Sequence, residues 1–415
     1  MTESKEVILR DPLYGYVDLS PEEIAIIDTP AFQRLRGIKQ VAHTHLVYPS
    51  AIHNRFAHSI GTMHVAGLMA DQLHLNGEER RIVRLAALLH DIGHGPFSHL
   101  FEELTQSATG VKVDHEEVGH AMLSINRPLR EAMGSDRRKI IEILEGEAGI
   151  LSKIVSGGVD SDKMDYFRRD SFHAGVRYGE YDFDRILRTL QRHNAHIVIP
   201  KKGWDAMDGF LLAREQLYLQ VYYHPTRIIA DETLKRIVEL AAHEGQVKKE
   251  WFTFDADAPT RFLRRFLTWD DSGFINMLRG NVKARAKELL DDLSARRLLK
   301  HAFYKDVQEL DAIPKGELTS DRSKLVDMEK AIARDTKTPR HRIFAKIPAV
   351  SMKQYYLKGG EELYALKEDG NVVDFIDVSK VKGPSEDLLR LIVFGPREKK
   401  RRILKATERY LGSFE

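Results

Sequence analysis

Eleven of the chain's 18 histidines fall between His43 and His120, and the densest part is LAALLHDIGHGPFSH, Leu85 to His99. There an apolar run ends in His90-Asp91, and His94 and His99 follow across Gly93, Gly95 and Pro96. A lone histidine is more often a surface residue or a satisfied core residue than a ligand. His64, His74 and His120 take that ordinary reading, and His43, His45 and His53 read as loop residues. His90-Asp91 is different, because the preceding IVRLAALL is apolar almost all round and predicts a buried helix. A buried imidazole beside a buried carboxylate is costly without a partner. A divalent cation is such a partner, since it pairs the carboxylate and takes a neutral ring nitrogen.

Neighbouring residues on a helix diverge, so one helix end cannot complete the site. His58, in HNRFAHSIG, and Asp162, in VDSDKMDYFRRDSFHAG, are the further candidates. His58, His90, Asp91 and Asp162 would form an N/O site that suits Mg, Mn, Fe, Ni, Co or Zn, with no choice among them.

The elements that must bring these residues together are mostly helical. Apolar residues at three- and four-residue spacing predict helices over 58–76, 80–92, 114–126 and 136–146. Ser20-Pro21-Glu22-Glu23 is a helix start. Residues 204–244 predict one or two long helices broken near His224-Pro225, and 258–312 predict more helix. The charged stretch 315–342 reads as an exposed connection. Beyond it FAKIPAV, ELYALKEDGNVVDFIDV and LLRLIVFG read as strands, with a hairpin turn at Asp369-Gly370, and 399–411 as a closing helix. The expected fold is mainly α, divided into a helical core with its extension, 1–314, and a small C-terminal α/β segment, 315–415.

The order H…HD…D and the longer stretches DPLYGYVDL, IIDTPAFQRLRGIKQ, HNRFAHSIG, LLHDIGHGPFSH and DKMDYFRRDSFHAG resemble the HD-domain phosphohydrolase superfamily. The resemblance is to its branch of SAM- and HD-domain dNTP triphosphohydrolases, clear over about residues 5–240 and weaker beyond, with no SAM-like region ahead of it. It implies an HD-domain helical core, and metal binding by His58, His90, Asp91 and Asp162. It implies catalytic roles for His94, His99, His115 and Glu116, with His94 and His115 stabilising charge and His99 protonating the leaving oxygen. Arg55 and Lys163 match phosphate-binding positions, Tyr166, Asp170 and Tyr222 the sugar and base side, and Gln40 the 3′-hydroxyl contact. Val41 stands where the vertebrate branch has a leucine against the ribose 2′ position, so the deoxy preference is expected to be looser. Asp28, Gln33 and Arg36 match a guanine-nucleotide activator site between subunits, and His224, Arg296 and Lys300 would line a second nucleotide site. Val7 stands where the vertebrate branch has a phosphate-binding lysine.

The expected reaction is hydrolysis of a (deoxy)nucleoside triphosphate to nucleoside and triphosphate. The alternatives are an HD phosphohydrolase acting on nucleotide monophosphates, signalling nucleotides or oligonucleotides, and a nucleotide-binding regulator without turnover. The expected partners are the nucleotide substrate, a guanine nucleotide activator and further copies of the chain in a homodimer or homotetramer. With 64 basic and 62 acidic residues, nothing in the charge balance calls for nucleic acid. The basic run PREKKRRILK reads as a solvated helix face. The absence of cysteine excludes disulfides, zinc–thiolate sites and a thiol nucleophile. With no signal-peptide core and no apolar run of membrane-spanning length, the expected location is the cytoplasm.

Overall fold

The computed structural model describes residues 7–310, 322–350, 363–381 and 388–412. The longer helices are numbered here. They are α1 (Arg55–Gln72), α2 (Gly77–Leu89), α3 (His99–Thr109), α4 (His115–Ile125), α5 (Ser161–Ala174), α6 (Trp204–Leu217), α7 (Pro225–His243), α8 (Asp271–Asn281), α9 (Ala284–Ser294), α10 (Arg322–Thr336) and α11 (Lys400–Gly412). The fold is mainly helical with a small strand-bearing C-terminal part, as the patterning predicts.

Helix α1 packs along α2 and α5, and these three carry the pattern residues. Their ends are set by capping. Asn54 accepts from the Ala57 N–H, Asn76 and Glu79 form a reciprocal capping box, and Asp160 accepts from the Lys163 N–H. The buried face of α2 runs from Ile82 to Leu89 and delivers His90 as its C-cap. Gly61 on α1 lies where a Cβ would meet Asp165 and Arg169, so only glycine admits that buried pair against α1. The expected break near His224-Pro225 is present: α6 runs into a π-helical turn, Tyr218–Tyr222, and Pro225 opens α7 as its first residue.

Among the described residues ten strands form three small sheets. The strand β1 (Val7–Asp11) pairs antiparallel with β2 (Gly15–Leu19) across the turn that begins at Pro12. In the second sheet β3 (Gln191–His193) and β4 (His196–Pro200) are joined by β8 (Tyr364–Leu366) and β9 (Val372–Asp374), with β8 parallel to β4. Gly370, at φ +84°, turns that last hairpin as the Asp369-Gly370 signal predicts. In the third, β10 (Leu388–Gly395) lies between β5 (Lys300–Asp306) and β6 (Phe344–Lys346), and β7 (Ala349–Val350) extends its edge. Both larger sheets therefore draw strands from either side of residue 315.

Two local expectations fail. The helix expected to run on past residue 295 stops at Ser294, Arg296 takes φ +54°, and residues 300–306 pair with β10 instead. The pairing partner lies some 90 residues on, beyond the reach of a local pattern. The charged stretch after 315 is not all connection, since it contains α10. Few apolar residues suffice there because Met328 and Ile332, one turn apart, are fully buried, and buried Glu329 accepts two hydrogen bonds from Arg236 of α7. Among the described residues no helix is long and apolar enough to cross a membrane.

Arg84 on α2 donates from Nε to Glu23 Oε1 at 2.6 Å and from Nη2 to Glu23 Oε2 at 2.9 Å, and both residues are buried. Arg84→Met keeps the volume but leaves the Glu23 carboxylate buried without its cation. The expected loss of stability is about 3–5 kcal/mol, measured as a lower urea midpoint. An unchanged midpoint would show that this pair does not anchor the N-terminal helix to α2.

Candidate active site

A cavity of about 680 Å³ opens among α1, α2, α5 and the α6–α7 junction. Its floor is the histidine–aspartate group. His58 Nε2 lies 2.9 Å from Asp162 Oδ1 and 3.4 Å from Asp91 Oδ2. His90 Nε2 lies 3.4 Å from Asp91 Oδ1 and 3.6 Å from Asp162 Oδ1. The donor atoms of His58, His90 and Asp162 all fall within 4.8 Å of one another. The Nε2 atoms of both imidazoles are buried and have no hydrogen-bond partner.

This floor is built for a cation. Burial alone would keep the His58 imidazole neutral, but Asp162, Asp165 and Asp91 outweigh it and push the group up to about 10. His90 is raised in the same way by Asp91 and Asp162. Burial opposes ionisation of Asp162, yet the two imidazoles hold it well below the usual carboxylate range. Neutral imidazole nitrogens and carboxylate oxygens are the donor set of Mn, Fe, Zn and related divalent ions, and the residues present fit such an ion.

His58 is aimed by a carboxylate that the motif reading passed over. Its Nδ1–H donates to Asp165 Oδ2 at 2.8 Å, which leaves Nε2 to face the cavity floor. Asp165 is fully buried and also accepts from Tyr14 Oη and from Arg169, whose other arm reaches Asp11. The spacing Asp162-x-x-Asp165-x-x-x-Arg169 along α5 is the signal that could have found it. His90 is oriented by its own helix, with Nδ1 donating to the Ala87 carbonyl at 2.7 Å.

A second histidine group forms the adjoining wall. His94 is buried, stacks on His115 at 3.9 Å between ring centroids, and has Nε2 3.2 Å from Asp91 Oδ1. Burial, Arg55 and His115 hold His94 well below the usual histidine range, so it is neutral. His115 Nδ1 and His99 Nδ1 both donate to Glu102 Oε1, at 2.8 and 3.1 Å, and Lys112 reaches Glu102 Oε2. Glu102 is the second residue that the motif reading missed. It follows His99 by three residues, on the same face of α3, and that spacing was its signal. Glu116 stands exposed on the cavity rim, its backbone N–H donating to Asp114.

The other residues singled out from the sequence divide into two sets. Gln40, Val41, Arg55, Lys163, Tyr166, Asp170 and Tyr222 all line the cavity. Arg55 pairs with Asp91 through Nη1 and donates from Nε to Ser98 Oγ. Lys163 donates to Asp160 and the Gly157 carbonyl. Asp170 accepts from His53 Nε2 at 2.6 Å and from the Tyr222 hydroxyl, so His53 lies in a loop as expected but is buried against the site. The buried amide oxygen of Gln40 has no partner. Asp28, Gln33 and Arg36 do not line the cavity: Asp28 caps the helix Pro21–Ile27, Gln33 ends the helix Pro30–Gln33 and Arg36 lies in the 3-10 turn Arg34–Gly37. There Arg36 lies over Phe56 and donates to Gln33 Oε1. Arg296 donates to the Leu46 carbonyl and His224 packs edge-on to Tyr48, so both flank the turn at 46–48, while Lys300 opens β5.

Comparison with known proteins finds relatives along most of the chain. A family model described as HD domain matches residues 55–157, and one described as HD associated region matches 181–413. An uncharacterised protein of Methanocaldococcus jannaschii is 31% identical over 399 residues, covering 94% of this chain and 80% of its own length. The deoxynucleoside triphosphate triphosphohydrolase of Gallus gallus is 28% identical over 357 residues, which cover 75% of this chain and 58% of that protein. A crystal structure of a phosphohydrolase from Bacteroides thetaiotaomicron shares the fold, with a TM-score of 0.77 at 24% identity over 95% of this chain and 100% of that one.

The double variant His90→Ala/Asp91→Ala is expected to lose divalent-metal binding while keeping its helical circular dichroism. Asp165→Asn is expected to weaken metal affinity about 10–100-fold through loss of ring orientation at His58. Titration with Mn or Co, followed by calorimetry, reads both. Wild-type affinity in the double variant would place the metal elsewhere.

Proposed function

The chain belongs to the HD-domain phosphohydrolase superfamily, and on that premise we propose that it hydrolyses (deoxy)nucleoside triphosphates at the α-phosphorus, releasing nucleoside and inorganic triphosphate. One observation carries the reading: His90, Asp91 and Asp162 line the same cavity as His94, His99 and His115, with His58 and Glu102 paired to them from behind, and the two groups touch through Asp91 and His94.

The floor residues would hold the divalent ion, which when bound neutralises phosphate charge and makes water more acidic. The remaining work falls to the chain. Water oxygen bonds to the α-phosphorus and the bond to the 5′-oxygen breaks. Charge that builds on the phosphoryl oxygens faces the stacked His94–His115 pair and Arg55. Burial, with Arg55 and His115, lowers the His99 imidazole, and Glu102, accepting from its Nδ1, opposes that fall; in its protonated form His99 passes its Nε2 proton to the departing 5′-oxygen. Arg55, Lys163 and Arg214 line the cavity as counter-charges to the polyphosphate. The unsatisfied oxygen of Gln40 is an acceptor for the 3′-hydroxyl, and Val41 beside it leaves more room at the 2′ position than leucine would.

The test separates this reading from other phosphohydrolase chemistry. Metal-free protein is reloaded with Mg, Mn, Co, Ni or Fe and given dNTPs, NTPs and mononucleotides, and products are separated by ion-exchange chromatography. Nucleoside plus triphosphate is the expected outcome. Orthophosphate, or monophosphate plus pyrophosphate, sinks the proposal.

The same reading includes activation. Asp28, Gln33 and Arg36 offer an acceptor and donors that complement the Watson–Crick and Hoogsteen edges of guanine. A guanine nucleotide held there between copies of the chain would favour a dimer or tetramer. GTP is then expected to raise dATP turnover through a coupling of about 1–3 kcal/mol, with growth of the oligomer by light scattering. Asp28→Ala should abolish the GTP effect and keep the basal rate. Full dATP turnover without GTP, unchanged on adding it, would make this surface structural.

A further inference from the structure

The segment LTWDDSG, 267–273, lies within the stretch expected to be helical, and nothing in the proposed reaction uses it. Its second aspartate has an unusual set of partners. Asp271 is the first residue of α8 and only 3% exposed. It does not cap its own helix, because Asp270 accepts the Gly273 N–H and already does so. Both Asp271 oxygens instead leave the helix. Oδ1 accepts from the Phe97 N–H at 2.7 Å. Oδ2 accepts from the Lys39 N–H at 3.2 Å and from Lys39 Nζ at 3.3 Å.

These two targets are not ordinary backbone. Phe97 and Ser98 take φ +63° and +59°, a conformation rarely adopted by residues with a side chain. They lie between His94 and His99, so they set where α3 starts and which way His99 and Glu102 face. Such a conformation persists only where its surroundings fix it. Lys39 immediately precedes Gln40 and Val41 on the cavity's other wall. Ser98 Oγ ties the two walls together, donating to the Lys39 carbonyl at 2.7 Å and accepting from Arg55 Nε at 2.9 Å.

Arg34 completes the arrangement from the same segment. Its Nη1 donates to the Trp269 carbonyl at 3.0 Å, and its Nη2 to the carbonyls of His94 at 2.7 Å and Ile92 at 3.3 Å. Gly37 admits the contact, since a Cβ there would overlap the Asp270 side chain. Three segments far apart in sequence, 34–40, 92–98 and 269–271, thus meet through one carboxylate and one guanidinium.

We propose that Asp271 and Arg34 are positioning residues for the active site: Asp271 holds the backbone of the histidine loop in register with the Gln40–Val41 wall, and Arg34 holds the His94 carbonyl. The assignment of the reaction rests on the triphosphohydrolase reading, whereas the ordering of the loop does not.

Full-length wild type is compared with Asp271→Ala, Asp271→Asn and Asp270→Ala, the last removing only the helix cap. Two readouts are taken: amide hydrogen exchange of peptides spanning 92–99, and dATP turnover with Mn. Asp271→Ala should speed exchange in 92–99 and lower kcat by about 10–100-fold with KM and metal content near wild type, as expected for displacement of catalytic groups by a fraction of an ångström. Asp271→Asn should recover part of both, because its amide oxygen still accepts from Phe97. It also carries the comparison if the alanine variant does not fold. Asp270→Ala should destabilise the protein without opening 92–99. Exchange in 92–99 that is the same in Asp271→Ala and Asp270→Ala overturns the proposal. If wild type releases no triphosphate while the exchange difference stands, the substrate reading fails and the positioning role survives.

Discussion

A carboxylate removed from water must find a cation, and Asp91 is where that requirement organises the molecule. It is 4% exposed, and Arg55, His58, His90 and His94 all converge on it. Burial pushes its proton affinity up, while Arg55 and the histidines push it further down, so it stays ionised. The four partners arrive on three pieces of chain: Arg55 and His58 on the first turn of α1, His90 at the end of α2, His94 in the loop beyond. Taking away the charge would remove the reason for these pieces to meet. The cost of burying it is offset only if its partners are held.

Two further carboxylates hold partners in place without reaching the reacting atoms themselves. Asp165 fixes which nitrogen of His58 faces the cavity floor, and Glu102 does the same for His99 and His115. An imidazole is useful as a ligand or proton donor only in one tautomer at a time. Both carboxylates lie three residues after a residue of the site, Asp162 and His99, on the same helix face. The fold therefore places each pair on one rigid element, so that the orienting group and the residue beside it move together.

This division explains what was legible in the sequence. The residues of the cavity floor could be picked out because the apolar run before His90 contradicts the charge that ends it, a conflict visible in eight adjacent letters. Asp165 and Glu102 sit in stretches crowded with other charges, where one carboxylate does not stand out. Asp271 was illegible for a stronger reason: its partners, Phe97 and Lys39, are backbone N–H groups more than 170 residues away, and backbone leaves no mark in side-chain patterns. The same limit produced the error at 300–306, where the local pattern favours helix and long-range pairing with β10 decides otherwise. In α10 two buried apolar residues and one buried glutamate were enough to dock a helix that its charge had hidden.

The C-terminal part is joined to the cavity by charge as well as by strands. Helix α7 carries Asp231 and Glu232 on the cavity wall and, one turn on, Arg236 toward α10. Lys346 of β6 reaches Glu232 at 2.8 Å and also lines the cavity. Burial alone would push the Glu232 carboxyl up, but Lys346 and Lys235 outweigh it and hold it down to about 2. Its folded-state proton affinity is thus depressed, so the docking energy is fully present above the ordinary glutamate range and fades as pH falls toward 2. Over the neutral range the contact is intact. A segment nearly 300 residues from His58 in sequence is in this way part of the same cavity, and its attachment runs through the helix that follows the tyrosine turn. The strands beyond residue 340 are therefore not an appendage to a finished site: Lys346 of β6 lines the same cavity as His90, Asp91 and Asp162.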